Sequence, residues 1–129
     1  RKNTEIGVFC CMRLLSKHMA IRFSEKHREV ARELVKEKID YFNQFYRFTF
    51  NNVFIKQHKR RWGSCSSKKN LNFNYKVIFL PPALSDYLIV HELCHLQEMN
   101  HSEKFWTLVR KTIKNHKILH KKLKKTIMG

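Results

Sequence analysis

Residues 91–101 read HELCHLQEMNH, and four side chains in this stretch have types and spacing suited to metal chemistry. His91 and His95 stand four positions apart, so on a helix both imidazoles leave the same face. Two neutral ring nitrogens at that spacing reach one zinc ion at about 2.0–2.1 Å. Glu92 is turned roughly 100° from His91 on such a helix, within reach of a metal-activated water and not itself a ligand. A carboxylate so placed is the general base of a hydrolase. His101 follows after five further residues and closes a three-ligand set. Three protein ligands with an open fourth position is the catalytic pattern, whereas a structural zinc takes four. The stretch therefore predicts a catalytic zinc site: His91, His95 and His101 as ligands, Glu92 as base. The bland alternatives are a structural or regulatory metal site, or a solvated helix with fortuitous histidines.

The third ligand is the less constrained choice. The spacing H-E-x-x-H with a further His after five residues is that of metzincins. Those carry Gly three residues after the second His, where this chain has Glu98, and no Met is placed for a Met-turn. The pattern is thus not a strict metzincin. Asn100 tolerates a left-handed backbone and is expected to make the turn. Should His101 not ligate, Glu98 and Glu103 are the nearest alternatives. Cys94, three residues after His91, is read as a small buried packing residue.

These groups need a scaffold. Ile89, Leu93 and Leu96 fall opposite the histidines and are expected to seat the metal helix on a core, leaving the imidazoles to a cleft. Pro81-Pro82 starts that helix, predicted at about 83–97. Upstream, Ser24 is a plausible N-cap for a long helix to about Tyr46, with an apolar stripe of Val30, Leu34, Ile39, Phe42 and Phe45. The aromatics Tyr41, Phe42, Phe45, Tyr46, Phe48 and Phe50 read as core. Val53–His58 and Leu71–Tyr75 read as strands, the second alternating cleanly, with polar turn residues over 64–70 between them. Ser102 is placed to cap another helix carrying Phe105, Trp106, Leu108 and Val109 inward. From Lys114, Leu119, Leu123 and Ile127 recur every fourth residue, which predicts a basic amphipathic helix packing on the domain or on a partner. The expected class is α+β: a long N-terminal helix, a small β-sheet, the metal helix packed on it, and C-terminal helices. The expected division is an arm or fragment of an upstream unit at 1–23, a catalytic domain at 24–113 and a basic tail at 114–129.

At 129 residues with 43% hydrophobic content, the chain builds a real core. No apolar run approaches the roughly 18–20 residues of a membrane span, and Val8–Leu15 is not read as a signal peptide. Cys10, Cys11, Cys65 and Cys94 form neither a C-x-x-C pair nor a disulfide framework, which points to a reducing, cytoplasmic setting. Lys and Arg number 27 against 10 acids, a formal charge of +17. That balance favours polyanions: nucleic acid, an acidic protein or an anionic membrane surface. Lys56–Arg61 and Lys114–Lys125 are the best candidates for such a contact, set against a bland reading in which most lysines only solvate the surface.

The stretch RWGSCSSKKNLNFNYKVIFLPPALSDYLIVHELCHLQEMNHSEKFW resembles the core of the YgjP-like (WLM-related) metallopeptidase family. Trp62-Gly63-Ser64-Cys65 upstream and the HELCHL, NHS and FW segments downstream carry the likeness, with Pro81 and Tyr87 between. The resemblance covers roughly residues 45–115. It implies a small zincin-like fold, one zinc held by His91, His95 and His101, catalytic Glu92, and metal-dependent protease or hydrolase activity; the expected reaction is peptide-bond hydrolysis of a peptide or protein substrate. Leu71–Tyr75 is the candidate edge strand for pairing with an extended substrate. Arg61, Tyr75, Tyr87 and Lys104 are candidates for the oxyanion donor. Gly63 is expected to permit backbone angles that other residues avoid. Two other classes compete with the peptidase: a nucleic-acid-associated basic module with an incidental metal, and a zinc hydrolase of non-peptide substrates.

Overall fold

The structure, a computed structural model, describes residues 24–58 and 60–126. The arm expected at 1–23, Ile127 and three of the groups weighed above (Cys10, Cys11, Lys59) lie outside the described residues.

The long helix α1 spans Glu25–Tyr46. Ser24 caps it as expected: its Oγ accepts from the His27 amide while the His27 ring accepts from the Ser24 amide, closing a reciprocal capping box. The helix stops where Arg47 turns left-handed at φ 57°. Its inward face is Ala31, Val35, Ile39, Phe42 and Tyr46. The expected stripe is thus rotated by about one position, with Val30 and Leu34 half-buried and Phe45 44% exposed. Tyr46 takes the inward place because its hydroxyl has partners there, donating to the Leu108 carbonyl at 2.7 Å and meeting Thr112 Oγ1 at 2.7 Å. Tyr41, expected in the core, is 45% exposed.

Three short strands follow: β1 Val53–Lys56, β2 Gly63–Cys65 and β3 Leu71–Asn74. They form one sheet in the order β1-β3-β2. β1 runs parallel to β3 with Val53 opposite Leu71, and β2 runs antiparallel with Gly63 opposite Phe73. Two expectations change here. Residues 63–65, expected at the start of a polar turn, are a strand. Leu71–Tyr75, expected as an edge, supplies the central strand, because both its hydrogen-bonding sides are taken; among the described residues β1 and β2 are the edges. Tyr75 already belongs to a 3-10 helix over Tyr75–Phe79.

Helix α2, Pro82–His95, carries the motif. It packs against α1, β2 and both later helices, α3 (Glu103–Arg110) and α4 (His116–Lys125). Being surrounded, it is buried on nearly every side, from Leu84 and Tyr87–Val90 to Glu92–His95. Ile89 and Leu93 are fully buried as expected, while Leu96 is half-exposed. In α3, Phe105 and Val109 enter the core, while Trp106 and Leu108 reach it only in part. α4 buries Leu119 and Leu123 against the domain. Among the described residues no helix is long and apolar enough to cross a membrane.

Candidate metal centre and active site

Four neighbours shape α2 into a site. His91 and His95 leave α2 together, and the chain folds back to add His101 just before α3. The three Nε2 atoms form a nearly equilateral triangle: His91 to His95 is 3.2 Å, His95 to His101 is 3.1 Å and His101 to His91 is 3.2 Å. The return is not made by a left-handed Asn100. Among the described residues only Arg47 and Lys69 have positive φ outside glycine. Instead the helix tightens after His95, with the amides of Leu96, Gln97 and Glu98 bonding back to Leu93 and Cys94 carbonyls. Side chains of α3 hold the rings from behind. Phe105 stacks on His95 at 4.4 Å between centroids, and Trp106 stacks on His101 at 5.7 Å.

The donor set fits a metal ion. Tetrahedral nitrogens at about 2.0–2.1 Å from zinc stand about 3.3–3.4 Å from one another, close to the triangle seen. His95 Nδ1 lies 3.0 Å from the Glu98 carbonyl, which only accepts, so the ring proton sits there and Nε2 presents a bare lone pair to the other two rings. Burial, then the neighbouring imidazoles of His95, His101 and His120, holds the His91 pKa down to about 3. Burial also lowers that of His95. Both rings are therefore neutral, the form that ligates. Among the described residues these three histidines are the one cluster of potential ligands with atoms this close, and Cys94 is fully buried outside it. The alternatives, Glu98 and Glu103, are engaged differently: Glu98 offers its main-chain carbonyl to His95, and Glu103 pairs with Arg110.

Glu92 leaves α2 on the adjoining face, towards β2. It is 5% exposed, and its Oε1 is buried with no hydrogen-bond partner. Burial pushes its pKa up to about 8, against a downward pull from Arg61. Gly63 explains how β2 comes so close. A Cβ built there would meet the Asn72 carbonyl at 3.0 Å and Glu92 Cγ and Oε2 at 3.3 Å. Its φ is not positive, so the reason for glycine is close approach rather than the unusual backbone angle expected from sequence. Burial, then Glu92, raises the Cys65 thiol to about 11.

The oxyanion candidates separate. Tyr87 is 1% exposed and its hydroxyl lies between His91 Nδ1 and His120 Nδ1, behind the ligand ring rather than open to substrate. Tyr75 is buried against His27 and Phe79. Lys104 is exposed on α3. Arg61 is exposed and acts electrostatically on Glu92, which keeps it on the reacting side. Asn74, which sequence reasoning passed over, positions that arginine's loop. Its fully buried amide donates to the carbonyls of His58 at 2.7 Å and Arg61 at 3.0 Å.

Neutral imidazoles converging on one point, beside a desolvated carboxylate, equip a chain for metal-assisted hydrolysis. The chain belongs to the YgjP-like metallopeptidase domain family, whose model matches residues 7–126. It is similar in fold to the metallopeptidase zymogen abylysin of Pyrococcus abyssi, with TM-score 0.62 and 21% identity over 69% of this chain and 90% of that one. It is also similar to the metallopeptidase zymogen jannalysin of Methanocaldococcus jannaschii, with TM-score 0.61 and 26% identity over 69% of this chain and 92% of that one. No curated protein sequence matches it. The protein is thus a metal-dependent peptidase of zincin-like α+β architecture.

Proposed function

We propose that the metal is zinc, held by His91, His95 and His101, and that Glu92 is the general base of peptide-bond hydrolysis. The observation that carries this is the pairing of three convergent Nε2 atoms with the partnerless, buried Oε1 of Glu92. Bound in this cradle, zinc supplies Lewis acidity, lowering the pKa of a water and polarising a carbonyl. Glu92 Oε1 would take a proton from the attacking water and deliver it to the departing peptide nitrogen. Burial alone raises the Glu92 carboxyl; the positive charge of a bound zinc would favour the carboxylate form that a base needs. Arg61 supplies positive charge to the reacting side. The edge strand β2, packed against α2 beside Glu92, is the natural ladder for an extended peptide. Pairing there lays the substrate backbone across the carboxylate, the role assigned from sequence to Leu71–Tyr75.

The free thiols Cys65 and Cys94 agree with a reducing, cytoplasmic setting. The family match favours peptides over non-peptide substrates and gives the nucleic-acid module no support. Glu92→Gln tests the core of the reading. It is expected to retain stoichiometric zinc and to lose hydrolysis of a peptide library by about 100- to 10,000-fold. Full activity with the amide would remove Glu92 from the mechanism, and failure of the wild-type protein to take up zinc would remove the metal assignment.

A further inference from the structure

His120 belongs to the basic helix α4, outside the HELCHLQEMNH motif, yet it reaches the metal centre through one intermediary. Its Nδ1 lies 2.8 Å from the hydroxyl of Tyr87, and that hydroxyl lies 3.1 Å from Nδ1 of His91. Tyr87 is 1% exposed, so these two rings are the hydroxyl's recorded partners in a dry setting. We propose that His120 is a positioning residue: by accepting the Tyr87 proton it forces His91 into the tautomer whose Nε2 binds metal. The proposal rests on the metal assignment made above for His91.

The argument is one of proton counting. A neutral imidazole carries one ring proton, and a tyrosine hydroxyl donates one and accepts others. For His91 to ligate through Nε2, its proton must sit on Nδ1 and be donated to Tyr87. Tyr87 then needs another acceptor for its own proton, and His120 Nδ1 is the one at hand. The opposite arrangement is a trap. If the tyrosine proton points at His91, His91 must hold its own proton on Nε2, inside the cradle, where it blocks the metal. His120 breaks the tie in its Nε2–H tautomer, which leaves Nδ1 bare to accept from Tyr87. His95 needs no such helper because the Glu98 carbonyl cannot donate. The two ligands of α2 are thus oriented by different means: one by a main-chain acceptor, the other by a chain of two side chains ending on α4.

The test uses substitutions that keep bulk and reverse hydrogen-bonding sense. His120→Gln retains an acceptor; His120→Lys offers only donors. α4 is lysine-rich and His120 is half-buried, so the Lys variant suits its surroundings. Zinc affinity is read by chelator competition, and the His91 tautomer by long-range 15N–1H NMR correlation on metal-free protein. His120→Lys is expected to weaken zinc binding about 10- to 100-fold and to move the His91 proton from Nδ1 towards Nε2. His120→Gln is expected to restore most of both. Unchanged affinity and tautomer in His120→Lys would overturn the proposal, as would equal losses in the two variants, which signify packing alone. The tautomer is read without metal, so the proposal stands or falls even if zinc itself proves to be the wrong ion.

Discussion

The two flanks of α2 are built on opposite rules. On the His91 flank the Nδ1 atoms of both helix ligands, turned away from the cradle, are engaged: His91 on Tyr87, Tyr87 on His120, and His95 on the Glu98 carbonyl. On the Glu92 flank, one residue along the same helix, a carboxylate oxygen is buried with no partner. Leaving a buried acceptor unsatisfied is unfavourable by about 1–3 kcal/mol, so a fold does not keep such a group without compensation. The contrast teaches how one helix divides labour. Ligands must not move, so their rings are tied and stacked. The base must exchange a proton with something that arrives and leaves, so its position is fixed by packing against β2 while its oxygen is kept free.

Breaking the tied flank gives the largest effect. His95→Ala removes one vertex of the nitrogen triangle and is expected to abolish stoichiometric zinc binding, read by metal analysis after dialysis. Retention of full zinc would show that the triangle is not the metal site. The free flank is probed by Gly63→Ala. The new methyl would press on the Asn72 carbonyl and on Glu92, and the carbonyl belongs to the central strand and cannot yield. Displacing a catalytic group by a fraction of an ångström to 1 Å lowers rates by up to about 100-fold. The expected outcome is a 10- to 100-fold loss of hydrolysis at unchanged zinc affinity. A parallel loss of zinc would mean that the two flanks are not independent.

A substitution on α1, at a hydroxyl that also reaches the Cys94 thiol of α2, sharpens the contrast further. Tyr46→Phe deletes the hydroxyl that ties the end of α1 to Leu108 and Thr112. It is expected to lower stability by about 1–3 kcal/mol in chemical denaturation, with the zinc affinity of the folded protein intact. A matching drop in affinity would show that α1 tunes the ligands through α3.

The sequence carried this division unevenly. Local signals were legible: the Ser24 cap, the start of α2 at its proline pair, and the four motif residues whose helical spacing alone puts them on two faces. What stayed hidden depends on contacts distant in sequence. β2 is three residues long and half-buried throughout, too short to show any alternation. The central place of β3 follows from pairing on both sides, which no pattern within Leu71–Asn74 encodes. Gly63 was noticed as a glycine, but its reason is the approach of Glu92, 29 positions away. From sequence Tyr87 is only one of four oxyanion candidates; its partner His120 comes from α4, 33 positions away. The all-round burial of α2 likewise depends on four separate elements closing over it.

The last test distinguishes the flanks by pH. In metal-free protein the Glu92 carboxyl titrates near 8 when folded, against an ordinary value of 4.5. Between those values the folded state holds a proton that the unfolded chain has released, so this group's contribution to stability declines as pH rises. His91 works the other way. Its folded value, near 3, lies below the ordinary 6.5, so its contribution is lost as pH falls below that ordinary value. Glu92→Gln removes the first dependence and leaves the second. The unfolding temperature of metal-free Glu92→Gln relative to wild type is therefore expected to climb steadily between pH 5 and pH 8. A gap that stays flat across that range would mean that the carboxyl is solvated when folded, and the free flank would lose the desolvation on which its role as a base depends.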